Sequence, residues 1–198
     1  MPTLAILGAS GYAGQETLDR ALRHPELEVV ALGSDSLAGS SASALDVRLN
    51  GSLPAFVPNE EAAASGADLL MLCLGNERAA AFEPPAGAVV VDLSGAHRLE
   101  ASLYPQWYGF EHPRPGAWSY AIPELWPPDG PLVANPGCYA TAAILALAPI
   151  VDAIDHSNVV VDAKSGVSGA GRELKASSHA GFVLENVSPY RVGTHQHA

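Results

Sequence analysis

Residues 3–14 read Thr-Leu-Ala-Ile-Leu-Gly-Ala-Ser-Gly-Tyr-Ala-Gly, an apolar run that stops at Gly8 and opens onto glycines at 8, 11 and 14. A short apolar run bounded by a turn signal has the pattern of a buried strand. Beyond the loop, residues 15–23 set Leu18 and Leu22 four apart on one helical face, and Pro25 stops the segment. Residues 27–32, Leu-Glu-Val-Val-Ala-Leu, form a second strand. Strand, glycine loop, helix and strand within about 30 residues make a βαβ unit, whose parallel crossover is right-handed.

A dinucleotide pyrophosphate rests at such a loop, because glycines admit the phosphates to the backbone and the helix N-terminus offers free N–H groups. The spacing is GxxGxxG rather than GxGxxG, with Ser10 as an added donor. Gly8, Ser10, Gly11, Tyr12, Ala13 and Gly14 are therefore the candidate cofactor-binding residues. The second strand runs into Gly33-Ser34-Asp35-Ser36. An acid about 20 residues past the glycines binds a ribose 2′-hydroxyl and favours NAD, whereas an arginine there favours NADP. Ser34 and Asp35 join the cofactor candidates, and Asp35 points to NAD.

Further apolar runs at 68–74, 88–93, 132–134 and 158–163 predict four more strands, and the Ala/Leu-rich text at 139–148 predicts a helix. Near-continuous apolar strands suit a parallel sheet covered on both faces. Residues 104–131, rich in Pro, Trp and Tyr, read as an ordered irregular stretch. The fold class is α/β with a Rossmann-type, doubly wound parallel sheet. A boundary near 137 divides a dinucleotide-binding domain, 1–137, from a second domain that begins at 138.

The chain has 198 residues, with 10 Lys+Arg against 21 Asp+Glu, a net charge of −11 and a pI near 4.9. That balance argues against binding to nucleic acid, which needs basic patches, and against anionic membrane surfaces. With 48% hydrophobic and 16% charged residues the chain can bury a core. The longest apolar stretch, 139–151, is too short for a membrane span and holds Pro149. The N-terminus lacks the basic start of a signal peptide, and two cysteines make no disulfide framework. A cytoplasmic location is the expectation.

Cys138 follows Asn135-Pro136-Gly137 and opens the helix predicted there. A thiol at a helix N-terminus is stabilised as thiolate and becomes a candidate nucleophile. Cys73 lies mid-strand among Leu and Met and reads as inert core. A second glycine-rich loop, Ser165-Gly-Val-Ser-Gly-Ala-Gly-Arg172, offers an anion nest, with Arg172 as a partner for carboxylate or phosphate. Arg98 closes the segment after the fourth strand, at the sheet edge where ligands bind. His195 and His197 lie two apart, so on a strand both face one way. Either serves as the general acid/base for Cys138. No further cluster completes a metal site, so no metal is expected. His179 lines the site or merely packs. His24, His112 and His156 read as solvated, and the place of His97 stays open.

Together, residues 8–14, Trp107-Tyr-Gly-Phe-Glu-His-Pro113, Asn135-Pro-Gly-Cys-Tyr-Ala-Thr141, Asp162-Ala-Lys-Ser-Gly-Val-Ser-Gly-Ala-Gly-Arg172 and Pro189-Tyr-Arg-Val-Gly193 resemble the N-acetyl-γ-glutamyl-phosphate reductase family of arginine biosynthesis. The resemblance implies an NADPH-binding Rossmann domain and a partial α+β substrate, or dimerisation, domain of the aspartate-semialdehyde-dehydrogenase type. It implies that Cys138 attacks an acyl phosphate, inorganic phosphate leaves, and the thioester is reduced to a semialdehyde. The family's His-Arg-His motif becomes His195-Gln196-His197. Gly166, Ser168 and Gly169 are implied cofactor contacts. Arg98, Asn135, Arg172 and His179 are implied substrate contacts. The partners implied are a small acyl phosphate and phosphate, with homo-oligomers among full-length relatives. Asp35 stands where relatives often carry arginine, which leaves NAD against NADP open. Family members are longer, so a C-terminal truncation is expected. The alternatives are a nucleotide-binding remnant and a reductase of carrier-linked acyl phosphates.

Overall fold

The structure, a computed structural model, describes residues 1–46, 48, 49 and 53–193. Its sheet grows from the first apolar run. Strand β1, Thr3–Leu7, alternates Leu4 and Ile6 toward one face with Ala5 and Leu7 toward the other, and all four are buried. β2, Glu28–Gly33, and β4, Leu69–Leu72, pair with β1 on either side, and β3, Phe56–Val57, extends the β2 edge. β5, Val89–Asp92, β7, Leu132–Ala134, and β6, Ser119–Tyr120, complete the other half. The order is β3-β2-β1-β4-β5-β7-β6, and each of these strand pairs is parallel. The strand order reverses at β1, so the crevice outside the carboxyl ends of β1 and β4 is the switch point where such sheets bind ligands.

Helices cover both faces. Helix α1, Tyr12–Leu22, packs Leu18 and Ala21 against Leu4, Ile6, Leu32 and Phe56. On the opposite face Ala5, Leu7, Leu70, Leu72 and Val90 meet Ala62 of α2, Asn59–Ala63. Helix α3, Asn76–Ala80, and α4, Tyr104–Trp107, follow β4 and β5. Apolar cover on both faces is why the strand text is near-continuously hydrophobic.

The chain divides into two units, Met1–Pro136 and Gly137–Ala198. The second holds α5, Cys138–Leu147, and α6, Ala180–Val183, with 3₁₀ turns between them. The strand expected at 158–163 is absent: residues 159–166 have no regular structure. Val159, Val160 and Val161 are 43%, 85% and 56% exposed. A strand needs a neighbour to take its N–H and C=O groups, and none of the described residues of this unit is a strand. No described residue from 137 onward is buried. The Pro-rich stretch 104–131 is more regular than expected, since it contains α4 and β6. Among the described residues no helix is long and apolar enough to cross a membrane.

Candidate active site

The glycine loop joins β1 to α1, so it lies at the sheet's switch point. Gly8 has φ +76°, and a Cβ there would sit 2.3 Å from the carbonyl oxygen of Cys73 on β4's exit. Gly14 lies inside α1, where a Cβ would meet the Gly8 carbonyl oxygen at 2.4 Å and the Ala9 Cα at 2.5 Å. Those two contacts explain why glycine recurs with this spacing: loop, helix and neighbouring strand touch through backbone alone. The helix therefore begins at Tyr12, earlier than the predicted residue 15. Gly11 is its N-cap and supplies no side-chain cap, so the first-turn N–H groups of Tyr12, Ala13 and Gly14 are without one. Exposed Tyr12 and Ala13 flank that opening. Backbone donors at a dipole's positive end fit a pyrophosphate.

At the end of β2, buried Ser34 meets Ser10 of the loop, Oγ to Oγ, at 2.7 Å, and Ser36 lies 3.5 Å further on. Asp35 accepts the Asn59 backbone N–H at 2.8 Å through Oδ1, while its Oδ2 is ion-paired with the Arg78 guanidinium of α3. The hydrogen bonds from Asn59, followed by that from Arg78, hold the Asp35 carboxyl down at about 2. The Asn59 side chain turns back to accept the Gly8 N–H at 2.8 Å. Gly8, Asn59, Asp35 and Arg78 thus form one connected chain of contacts.

After β5 the chain is fixed by buried groups. Asp92 is fully buried, and its carboxylate accepts the N–H and hydroxyl of Ser94, both at 2.8 Å. Burial raises its pKa, against the pull of those hydrogen bonds and of Arg98. Arg98 commits two of its five N–H donors to the backbone: Nε donates to the Asn135 carbonyl at 2.7 Å and Nη2 to the Leu93 carbonyl at 2.8 Å. It staples the exits of β5 and β7. The buried Tyr104 hydroxyl donates to Gly95 O at 3.0 Å and accepts N–H groups from Arg98 and Leu99 at 3.0 and 3.2 Å. Asn135 donates its backbone N–H to Asp92 O and its side-chain amide to Pro136 O. His97, left open by the sequence, stacks on Trp118 with ring centroids 3.8 Å apart, and burial lowers its pKa to about 4. His112 is not simply solvated: its Nε2 lies 2.7 Å from Ala96 O.

In the second unit Cys138 is the first residue of α5 and is exposed, and its N-cap Gly137 makes no side-chain cap. Tyr190 is hydrogen-bonded to Tyr139. That bond comes first, before burial and the nearby Cys138, in raising Tyr190 to about 12. Gly166, Ser168, Gly169 and Arg172 lie on an exposed segment that includes a 3₁₀ turn, Val167–Ala170. His179 is exposed and caps α6, its Nδ1 accepting the Gly181 N–H at 3.2 Å. His195 and His197 lie outside the described residues. Cys73 is half-buried beside Thr17, with Sγ 3.7 Å from Oγ1, and burial pushes its thiol up to about 11. Among the described residues no group of three or more His, Cys, Asp or Glu could hold a metal ion.

Three residues of this framework, Asn59, Arg78 and Tyr104, are not among the candidates read from the sequence. Asn59 follows Pro58 and precedes Glu60 and Glu61, a helix-start pattern that flags it. Arg78 is one of six arginines in the first unit and sits just past a strand end, the same signal that singled out Arg98. Tyr104 gives no local sign of its three hydrogen bonds.

Two family models match the chain: the semialdehyde dehydrogenase NAD binding domain over residues 3–130 and the semialdehyde dehydrogenase dimerisation domain over residues 138–198. The N-acetyl-gamma-glutamyl-phosphate reductase of Salinispora arenicola is 44% identical over 205 residues, covering 98% of this chain and 61% of that protein. The Thermus thermophilus protein of the same name is 41% identical, covering 98% and 58%. The chain thus spans about 60% of the length of the curated relatives it matches. A solved aspartate semialdehyde dehydrogenase II from Vibrio cholerae superposes with a TM-score of 0.61 at 22% identity, covering 87% of this chain and 48% of that one. The Candida albicans aspartate semialdehyde dehydrogenase solved with NADP gives 0.51 at 18% identity, covering 77% and 47%. These structures share the fold.

Proposed function

The chain belongs to the semialdehyde dehydrogenase family, and we propose that it carries the nucleotide-binding and thiol-bearing portion of an N-acetyl-γ-glutamyl-phosphate reductase that uses NADPH. The observation that carries this reading is the exposed Cys138 thiol on the first turn of α5, in a chain 44% identical to a reductase so named. The loop at residues 8–14 would hold the pyrophosphate on α1's first-turn N–H groups.

In this reading Sγ of Cys138 attacks the acyl carbon, the C–O bond to phosphate breaks, and inorganic phosphate leaves with that electron pair. A dinucleotide, when bound, would supply the hydride that reduces the resulting thioester. The tetrahedral hemithioacetal then collapses, the C–S bond breaks, and N-acetylglutamate semialdehyde departs. His195 or His197 moves the proton to and from the substrate oxygen in these steps. Arg98 fixes the turn that leads to Cys138 by holding the Asn135 carbonyl. Arg172 and the remaining N–H groups of Arg98 are the candidates for the substrate's anionic groups. Assembly into homo-oligomers through the dimerisation domain belongs to the same reading.

The test runs the reaction backwards, with N-acetylglutamate semialdehyde, phosphate and NADP⁺ or NAD⁺, following the reduced nucleotide by absorbance. The expected result is turnover by the parent chain and none by Cys138→Ser, with nucleotide binding intact in both. Equal turnover in the variant refutes the thioester route. A second reading, a chain that binds nucleotide without turnover, is favoured by one feature: no described residue of the second unit is buried. Binding without turnover in the parent would select it.

A further inference from the structure

Three observations meet at the carboxyl end of β2. The side chains of Ser10, Ser34 and Ser36 cluster there, with Oγ separations of 2.7 and 3.5 Å. Asp35, which would repel a phosphate, has both carboxylate oxygens engaged, one by the Asn59 N–H and one by Arg78. Arg78 reaches Asp35 from α3, which follows β4, so the pair spans the two strands that flank β1 at the switch point. Its side chain is 59% exposed, and among the described residues only one of its five N–H donors is used, at Nη2 on Asp35.

We propose that Arg78, held in place by Asp35, is the residue that selects NADPH over NADH by binding the 2′-phosphate, with the hydroxyls of Ser34 and Ser36 as supporting donors. The proposal rests on the reading of residues 8–14 as the nucleotide loop, and it names which residue sets the cofactor preference of that site. The end of the second strand is where the adenosine ribose lies in this class of sheet. A guanidinium presents N–H groups on more than one edge. One edge is committed to the carboxylate and the other remains for a phosphate dianion, which explains how an acid at position 35 is compatible with NADP. The carboxylate's own charge is compensated within the pair. Asp35 therefore acts as a positioning residue for Arg78 rather than as the acceptor for a ribose hydroxyl. The same link is tied to the pyrophosphate loop, because Asn59 joins Asp35 to the Gly8 N–H.

The experiment is a fluorescence titration of the parent chain, Arg78→Met and Asp35→Ala with NADPH, NADH and adenosine 2′,5′-bisphosphate, the fragment that carries the 2′-phosphate. Circular dichroism on each variant checks that it is folded. The parent is expected to bind NADPH more tightly than NADH. Arg78→Met is expected to weaken NADPH and the bisphosphate by about 10- to 100-fold, the loss of a charge-assisted pair, and to leave NADH unchanged. Asp35→Ala is expected to weaken NADPH less than Arg78→Met does, again sparing NADH. Equal losses for both nucleotides in Arg78→Met, or no loss, overturn the assignment while leaving the loop reading in place. A loss of NADH affinity confined to Asp35→Ala overturns it in favour of an aspartate that reads the ribose. A parent that binds neither dinucleotide overturns the loop reading and the assignment together.

Discussion

Replacing Tyr104 by Phe removes one oxygen and should loosen the segment that carries Arg98. The Tyr104 ring is fully buried, and its hydroxyl ties Gly95 O, Arg98 N and Leu99 N together at one point. The substitution leaves the apolar contacts with Tyr108 and Phe110 in place, so the lost free energy belongs to the hydrogen bonds. Leaving a buried donor or acceptor unpaired costs about 1–3 kcal/mol. Gly95 is buried, whereas Arg98 and Leu99 are half-buried and recover part of their cost from water. The net loss is therefore about 2–4 kcal/mol, a large share of the 5–15 kcal/mol typical of a folded domain. At roughly 3 °C per kcal/mol for a domain of this size, the melting temperature should fall by about 6–12 °C. Urea unfolding followed by tryptophan fluorescence is the assay, since Trp107 lies on α4 with Tyr104. The expected signature is a lowered midpoint with an unchanged slope. A loss under about 0.5 kcal/mol would refute the view that this hydroxyl organises the 94–99 segment.

Two further outcomes follow from other parts of the structure. Labelling with a thiol reagent at neutral pH should modify Cys138 quickly and Cys73 slowly, because one is exposed and the other is half-buried with its thiol raised to about 11. Peptide mapping reads the ratio, and comparable rates would contradict the placement of Cys73. His97, lowered to about 4 by burial from an ordinary 6.5, takes its proton less readily in the folded chain than in the unfolded one. Its contribution to stability is therefore complete above pH 6.5 and is lost as the pH falls from 6.5 through 4. His97→Phe keeps a ring against Trp118 and retains His112, so its urea midpoint should fall less over that window than the parent's. Parallel declines would remove His97 as the cause.

The part of the fold legible in the sequence is the part whose signals repeat. β1, β2, β4 and β5 announce themselves as apolar runs ending at Gly or Asp, and their burial on two faces is the reason. β3 and β6 are two residues long, too short for any period to show. The run at 158–163 has strand composition yet no strand, because composition reports what a segment is suited to and a ladder needs a second segment. Helix α1 starts earlier than its glycines suggest, since the Gly14 position is a close packing contact as much as a turn. At the site, residue type marked Arg98 as a cation at a strand end, but gave no sign of the two carbonyls across the sheet edge that take two of its five donors. Asp35 read as a ribose acceptor, and its partners within the chain, Asn59 and Arg78, lie 24 and 43 residues away. Such pairings are decided by strand order, which local text does not carry.

The absence of buried residues among the described residues of the second unit has a consequence for how the chain falls apart. Stability resides in the sheet body, so amide exchange should be slow in β1, β4 and β5 and governed by small local openings beyond residue 137. Both lysines of the chain, Lys164 and Lys175, fall in that second unit, and the exposed backbone around them is what a protease requires. A lysine-specific protease can therefore cut only there. It would trim the glycine-rich segment at 165–171 from a remnant that keeps the whole sheet, the loop at residues 8–14 and the Cys138 helix.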